Sequence, residues 1–193
     1  MPSELLTADL DRDVFIWVVE HRAPPLDWFF VALSVAGSGG LLWIGLAALL
    51  AYVVRRPLLA TTAITAATVW SADLVVAVLK RVVDRDRPYV VLPEAEPLLR
   101  WDVSASFPSG HAATSAAGAV ILGYLLGRRA WGVAALAAAV AYSRVYIGVH
   151  YPLDVLVGAA IGAAVALVAV LLVRRLRPTS EARRRSAGAM PGG

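Results

Sequence analysis

The chain has 193 residues, of which 59% are hydrophobic and 17% charged, with a formal net charge of +4. A soluble domain carries about 45–50% apolar and about 25% charged residues, so this excess, gathered into long runs, marks an integral membrane protein. There is no cysteine, which excludes disulfides and thiolate metal sites. The positive charge falls mostly in arginine doublets at the ends of apolar runs, which argues for membrane orientation and against nucleic-acid binding.

The N-terminus shows no basic segment followed by an apolar core and a small-residue cleavage site, so no removable signal peptide is expected. Residues 1–25 are acidic and polar, and residues 9–20 read as an amphipathic helix lying at the interface, with Trp17 near the headgroups. Pro24-Pro25 ends it. Leu26 to Ala36 is apolar but short and is broken by the run Gly37-Ser38-Gly39-Gly40. Residues 41–54 form a span that stops at Arg55-Arg56; alternatively residues 29–54 form one kinked helix. Residues 58–79 suffice to cross a hydrocarbon core of about 30 Å at about 1.5 Å per residue. Asp73 lies inside this span, seven residues before Lys80 and on roughly the same face, and is expected to be a buried support.

Residues 80–111 form a long, proline-containing loop, and long ordered loops tend to carry function. Asp84 and Asp86 within it, set among arginines, read as loop salt bridges. Residues 112–127 form the next span, closed by Arg128-Arg129. Residues 130–142 are nearly all Ala, Val and Gly, which predicts an inner helix, since small residues allow close approach in lipid. Residues 152–173 form the last span, and its Gly158 and Gly162 form a GxxxG spacing suited to packing on a neighbour. The expected fold is an all-α membrane bundle of about five transmembrane helices, six if Leu26 to Ala36 counts, plus the N-terminal interfacial helix. Residues 1–176 form one membrane-embedded domain, and residues 177–193 a basic, disordered cytoplasmic tail.

Arg55-Arg56, Arg128-Arg129 and the arginines from 174 onward share one side, which the positive-inside rule makes cytoplasmic. Three polar blocks then meet at the outer face: Lys80 through Pro88, Pro108-Ser109-Gly110-His111, and Ser143-Arg144 through His150 to Asp154. Charged groups at the rim of a span are costly and are functional candidates by default. Lys80 is the chain's one lysine, which suggests a place where a compact ammonium is wanted. Lys80, Arg87 and Arg144 form a cradle for a multiply charged anion. Ser109 and Gly110 open a helix whose free N–H groups would point at that anion. A helix start is expected near His150, with Pro152 tolerated in its first turn. Asp154, four residues on, can hold one ring nitrogen and leave the other as nucleophile or base. His111 is the histidine placed to donate a proton to a leaving oxygen. His21 is given no role. No acidic cluster suits Mg²⁺, no histidine–cysteine set suits zinc, and no cofactor is expected.

The pattern Lys-(six residues)-Arg-Pro, Pro-Ser-Gly-His, and Ser-Arg-(five residues)-His-(three residues)-Asp resembles the type 2 phosphatidic acid phosphatase family, over roughly residues 58–173. The resemblance implies a metal-independent lipid phosphatase with a phosphohistidine intermediate. His150 would attack phosphorus, Asp154 would orient it, and His111 would protonate the leaving group and later activate water. Lys80, Arg87, Ser109, Gly110 and Arg144 would bind the phosphate. Membrane members usually have six spans, and by this reading the first full one is missing here.

The expected substrate is a lipid phosphate or diphosphate: a polyprenyl diphosphate such as undecaprenyl diphosphate, phosphatidic acid, phosphatidylglycerol phosphate or a polyprenyl-phosphoryl sugar phosphate. The site would sit on the outer or periplasmic face of the plasma membrane, with membrane lipids as its surroundings, no nucleic-acid partner, and a homo-oligomer left open. The loop from Tyr89 to Phe107, with Glu94, Glu96, Arg100 and Trp101, is expected to meet the headgroup. Other readings are transfer of the phosphoryl group to a second lipid, the oxidative chemistry of the vanadium haloperoxidases, whose site is similar, and a non-catalytic lipid-binding protein.

Overall fold

The computed structural model of the chain describes residues 2–92, 95–100 and 104–176, with the side chains of residues 2–8 and 128–129 left aside. Among these residues the secondary structure is entirely helical: α1 (Pro2–Glu20), α2 (Pro24–Ala36), α3 (Leu41–Val53), α4 (Leu58–Val83), α5 (Pro88–Val91), α6 (Gly110–Leu126), α7 (Trp131–Tyr146) and α8 (Pro152–Leu176). The tail expected over residues 177–193, and Glu94 and Trp101 of the headgroup loop, lie outside the described residues.

Helices α4 and α8 are long and apolar enough to cross a bilayer, and α6 is a shorter apolar helix. Helices α2 and α3 pass the same test as a pair bent by 55°. The bend has a local cause. Gly39 and Gly40 take φ of +63° and +73°, a region other residues resist, so the chain turns where the glycine run predicts a break. Pro24 and Pro25 occupy the opening positions of α2, where a fixed φ and a missing N–H do no harm, so they start a helix, whereas α1 has already stopped at Glu20.

Helix α6 is the centre of the bundle and packs against α3, α4, α7 and α8. This corrects the expectation for residues 130–142. Helix α7 leaves Ala134, Ala135, Ala138 and Tyr142 exposed, whereas α6 buries Ala112, Ala113, Ser115, Ala117 and Gly118. Small side chains permit close approach, but they do not say which small-residue helix is surrounded. Trp43 of α3 fills the hollow at Gly118, where a Cβ would come within 2.7 Å of the indole. On the other flank, the GxxxG face of α8 lies directly on α6. A Cβ at Gly158 would sit 2.3 Å from the Ser109 carbonyl oxygen, and one at Gly162 would sit 2.0 Å from that of Ala113.

Helix α1 packs against the ends of α7 and α8 with Asp11, Phe15 and Val18 buried. Leu10, Val14 and Trp17, at helical spacing along another face, are exposed. A helix with one face on the protein and a second apolar face turned outward is suited to the membrane interface.

Candidate active site

Three chain segments reach the same end of the bundle because α4 ends there while α6 and α8 begin there. Helix α4 terminates at Asp84, which caps it with φ +44°. This delivers Lys80 in its last turn and frees the chain to return through Arg85 and Arg87. Ser109 caps α6, its side chain accepting the Ala112 N–H at 3.4 Å. Helix α8 begins at Pro152, near His150 as expected, and His150 lies just before the helix that carries Asp154. Their contact forms because Asp154 turns back from the third helical position: Oδ2 accepts the Tyr151 N–H at 2.9 Å, one half of a capping box. Gly148 shapes the loop before it. Its φ is +86°, and a Cβ there would meet Arg22 Nη2 at 2.6 Å.

His111 and His150 line one cavity of about 660 Å³, together with Lys80, Arg87, Gly110, Ser104, Gly37 and Ser38. Of the residues expected to bind phosphate, Lys80, Arg87 and Gly110 form its wall. Ser109 and Arg144 do not: Ser109 is the buried cap of α6, and Arg144 is buried, 1% exposed. Asp73 faces the cavity instead of being buried, with Oδ1 3.2 Å from where a Cβ of Gly110 would be.

His150 is 2% exposed, with Nδ1 3.4 Å from Asp154 Oδ2. Its Nε2 lies 3.5 Å from the Arg87 guanidinium. Burial pushes its pKa down to about 3; the nearby Arg144 and Arg87 cations act in the same direction, and Asp154 opposes them. The ring is therefore neutral near pH 7. A proton on Nδ1 directed at Asp154 leaves the Nε2 lone pair on the Arg87 side, which is the state a nucleophile requires. Arg87, 3% exposed, is fixed by its own donors: Nε to the Ser104 carbonyl at 2.7 Å and Nη1 to the Val149 carbonyl at 3.0 Å. Lys80 Nζ donates to the Ala105 carbonyl and, at 3.3 Å, to Ser104 Oγ.

Four residues that matter were not singled out from the sequence. Ser34 of α2 serves two site residues at once: Oγ accepts from Arg144 Nη1, and its carbonyl accepts the His111 Nε2–H at 3.0 Å. Ser106 donates to Asp154 Oδ2 at 2.5 Å. Arg85 donates to Asp154 Oδ1 at 2.7 Å and to Asp11 Oδ2 at 2.8 Å. The loop salt bridges expected of Asp84 and Asp86 do not form among the described residues; both side chains are exposed, and the arginine between them turns inward to distant partners. His21 stacks on Trp17 at 4.6 Å, away from the cavity. Arg100 lies over Tyr89, and neither it nor Glu96 lines the cavity.

Chemically, the cavity offers the Lys80 ammonium, the guanidiniums of Arg81 and Arg87, the carboxylates of Asp73 and Asp84, a helix N-terminus and two imidazoles, one of them neutral and held by a further carboxylate. A family model described as PAP2 superfamily matches residues 40–178. An undecaprenyl-diphosphatase from Sulfolobus acidocaldarius is 32% identical over 159 residues, 82% of this chain and 76% of that protein. A decaprenylphosphoryl-5-phosphoribose phosphatase from Mycobacterium tuberculosis is 36% identical over 104 residues, 50% of this chain and 52% of that protein, so the match spans about half of that relative. In fold, the chain is similar to a transmembrane PAP2 type phosphatidylglycerolphosphate phosphatase from Bacillus subtilis, with TM-score 0.73, 24% identity, and coverage of 90% of this chain and 89% of that one. The chain belongs to the PAP2 superfamily.

Proposed function

We propose that the protein hydrolyses a polyprenyl phosphate or diphosphate through a phosphohistidine formed on His150. The observation that carries this reading is the cavity shared by His111 and His150, walled by Lys80 and Arg87, with a carboxylate behind the nucleophile. The substrate class comes from the relatives, which are named for undecaprenyl diphosphate and for a decaprenylphosphoryl sugar phosphate.

Lys80 and Arg87 take the charge of the incoming phosphoryl group, and the N–H groups opening α6 add to them. Arg144, held by Ser34, contributes its field from behind. His150 Nε2 attacks phosphorus: a P–N bond forms and the P–O bond to the leaving group breaks. Asp154 stabilises the positive charge that develops on the ring. His111 gives its proton to the leaving oxygen. Now neutral, it removes a proton from water, which attacks phosphorus, breaks the P–N bond and releases phosphate. Neutralised charge and an in-line nucleophile are what phosphoryl transfer chiefly needs.

In this reading the chain crosses the membrane five times, through the bent α2–α3 pair, α4, α6, α7 and α8, with the cavity on the outer face and the arginine doublets inside. A substrate can then keep its tail in lipid while its head enters the cavity. The test is phosphate release from polyprenyl diphosphate in detergent with EDTA present. The wild type is expected to turn over and His150→Ala to be inactive; full activity of that variant would remove the nucleophile assignment.

A further inference from the structure

We propose that Arg85 and Asp11 are positioning residues of the site, forming a relay that ties the Asp154 carboxylate to the interfacial helix α1. The inference rests on the phosphatase reading above, because it assigns the relay's effect to the His150–Asp154 pair.

Asp154 is fully buried, and its two oxygens have different duties. Oδ2 takes the Ser106 hydroxyl, the Tyr151 N–H and the His150 ring. Oδ1 takes Arg85 at 2.7 Å. The other arm of the same guanidinium reaches Asp11 of α1 at 2.8 Å. Asp11 is 4% exposed, and its Oδ1 accepts the Leu153 N–H at 2.8 Å, in the first turn of the helix that carries Asp154. Arg85 also lies over the Tyr151 ring at 4.0 Å, and Phe15 of α1 packs on that ring from 5.4 Å. One planar fork therefore joins two buried carboxylates that are 143 positions apart in the chain (11 and 154). Neither Arg85 nor Asp11 lines the cavity.

The arrangement follows from charge. A carboxylate that balances a phosphohistidine must stay ionised while buried, and it needs a cation that does not compete for the oxygen facing the histidine. Arg85 meets this by taking Oδ1 alone. Asp11 draws part of the guanidinium's charge away from Asp154 and leaves the catalytic carboxylate its basicity. Removing Arg85 leaves two buried carboxylates facing each other; removing Asp11 turns the full cation onto Asp154. Either change acts on His150 through Asp154 and leaves the phosphate cradle in place.

The experiment uses the full-length protein with polyprenyl diphosphate as substrate and orthovanadate as the phosphate-like probe. Turnover is expressed per vanadate-binding site, so that loss of folded protein is not read as loss of rate. Arg85→Gln is expected to lower kcat per site about 10- to 100-fold with vanadate affinity nearly unchanged, the loss of a hydrogen bond between charged groups. Arg85→Lys should recover part of the loss. Asp11→Asn keeps an acceptor for the Leu153 N–H and should lower kcat less; it gives the same test if Arg85→Gln does not fold. The double variant should be faster than Arg85→Gln alone, because it removes the facing charge. If these variants keep wild-type kcat per site while His150→Ala is inactive, the relay is wrong and the phosphatase reading stands. If they lose vanadate sites in step with activity, their role is structural and the proposal fails. If His150→Ala is itself active, the phosphatase reading falls and takes the proposal with it.

Discussion

Replacing Gly158 by alanine is expected to disable the site without altering any group in it. A Cβ at this position would sit 2.3 Å from the Ser109 carbonyl oxygen and 3.2 Å from that residue's carbonyl carbon and amide nitrogen, all of them backbone. Ordinary contact begins near 3.4 Å, so α8 and α6 must separate there by about 1 Å. The Ser109 N–H also donates to the Asp154 carbonyl at 2.9 Å, so the displacement falls on the seam that sets His111 against His150 and Asp154. A misplacement of about 1 Å in an aligned catalytic constellation costs roughly 100-fold in rate. Overpacking of this kind costs about 1–3 kcal/mol of stability. The expected result is a kcat/KM for phosphate release in detergent roughly 100-fold below wild type, with a lowered melting temperature. Gly123→Ala on α6, whose Cβ would meet nothing within 4 Å, is the matched control and should behave as wild type. A Gly158→Ala enzyme that keeps more than about a third of its activity would refute the idea that this seam sets the catalytic geometry.

Asp154→Asn should lower kcat by up to about 10⁴-fold, because the amide cannot hold the His150 tautomer or balance its charge, while vanadate still binds. Ser34→Ala removes the acceptor for Arg144 but keeps the carbonyl that holds His111. A loss of about 10- to 100-fold in kcat/KM is expected from one charged hydrogen bond, measured as phosphate release. The depressed pKa of His150, about 3 against an ordinary 6.5, predicts a pH-dependent stability. Folding keeps the ring neutral, so its contribution is complete above about pH 6.5 and is lost progressively as the pH falls towards 3. Melting temperatures across this window should fall more steeply for wild type than for His150→Gln, and parallel curves would contradict the assignment.

The three polar blocks were legible in the sequence because lipid makes them so: charged groups at the rims of apolar spans stand out, and their spacing fixes which end of the bundle they share. The glycine run at 37–40 announced the bend, and Gly158 and Gly162 announced a close helix contact, without saying that α6 is the partner. What escaped was set by tertiary contact. Ser34 reads as an ordinary serine in an apolar stretch; its signal was its place beside a glycine break at membrane depth, where irregular backbone usually faces a functional cavity. Arg85, flanked by Asp84 and Asp86, invited a local pairing, yet its partners lie 74 and 69 positions away in sequence. Asp11 looked like one more acid on an interfacial helix. The central place of α6 over α7 could not be read from composition, since both are rich in small residues and only the packing of Trp43 and α8 separates them.

The stereochemical course at phosphorus tests the central claim most directly. A lipid thiophosphate made chiral at phosphorus with heavy oxygen isotopes would be turned over in isotopically labelled water, and the configuration of the released thiophosphate determined. Two successive in-line displacements, first by His150 and then by water, predict net retention. Net inversion would mean that water attacks the substrate directly and that no phosphohistidine forms.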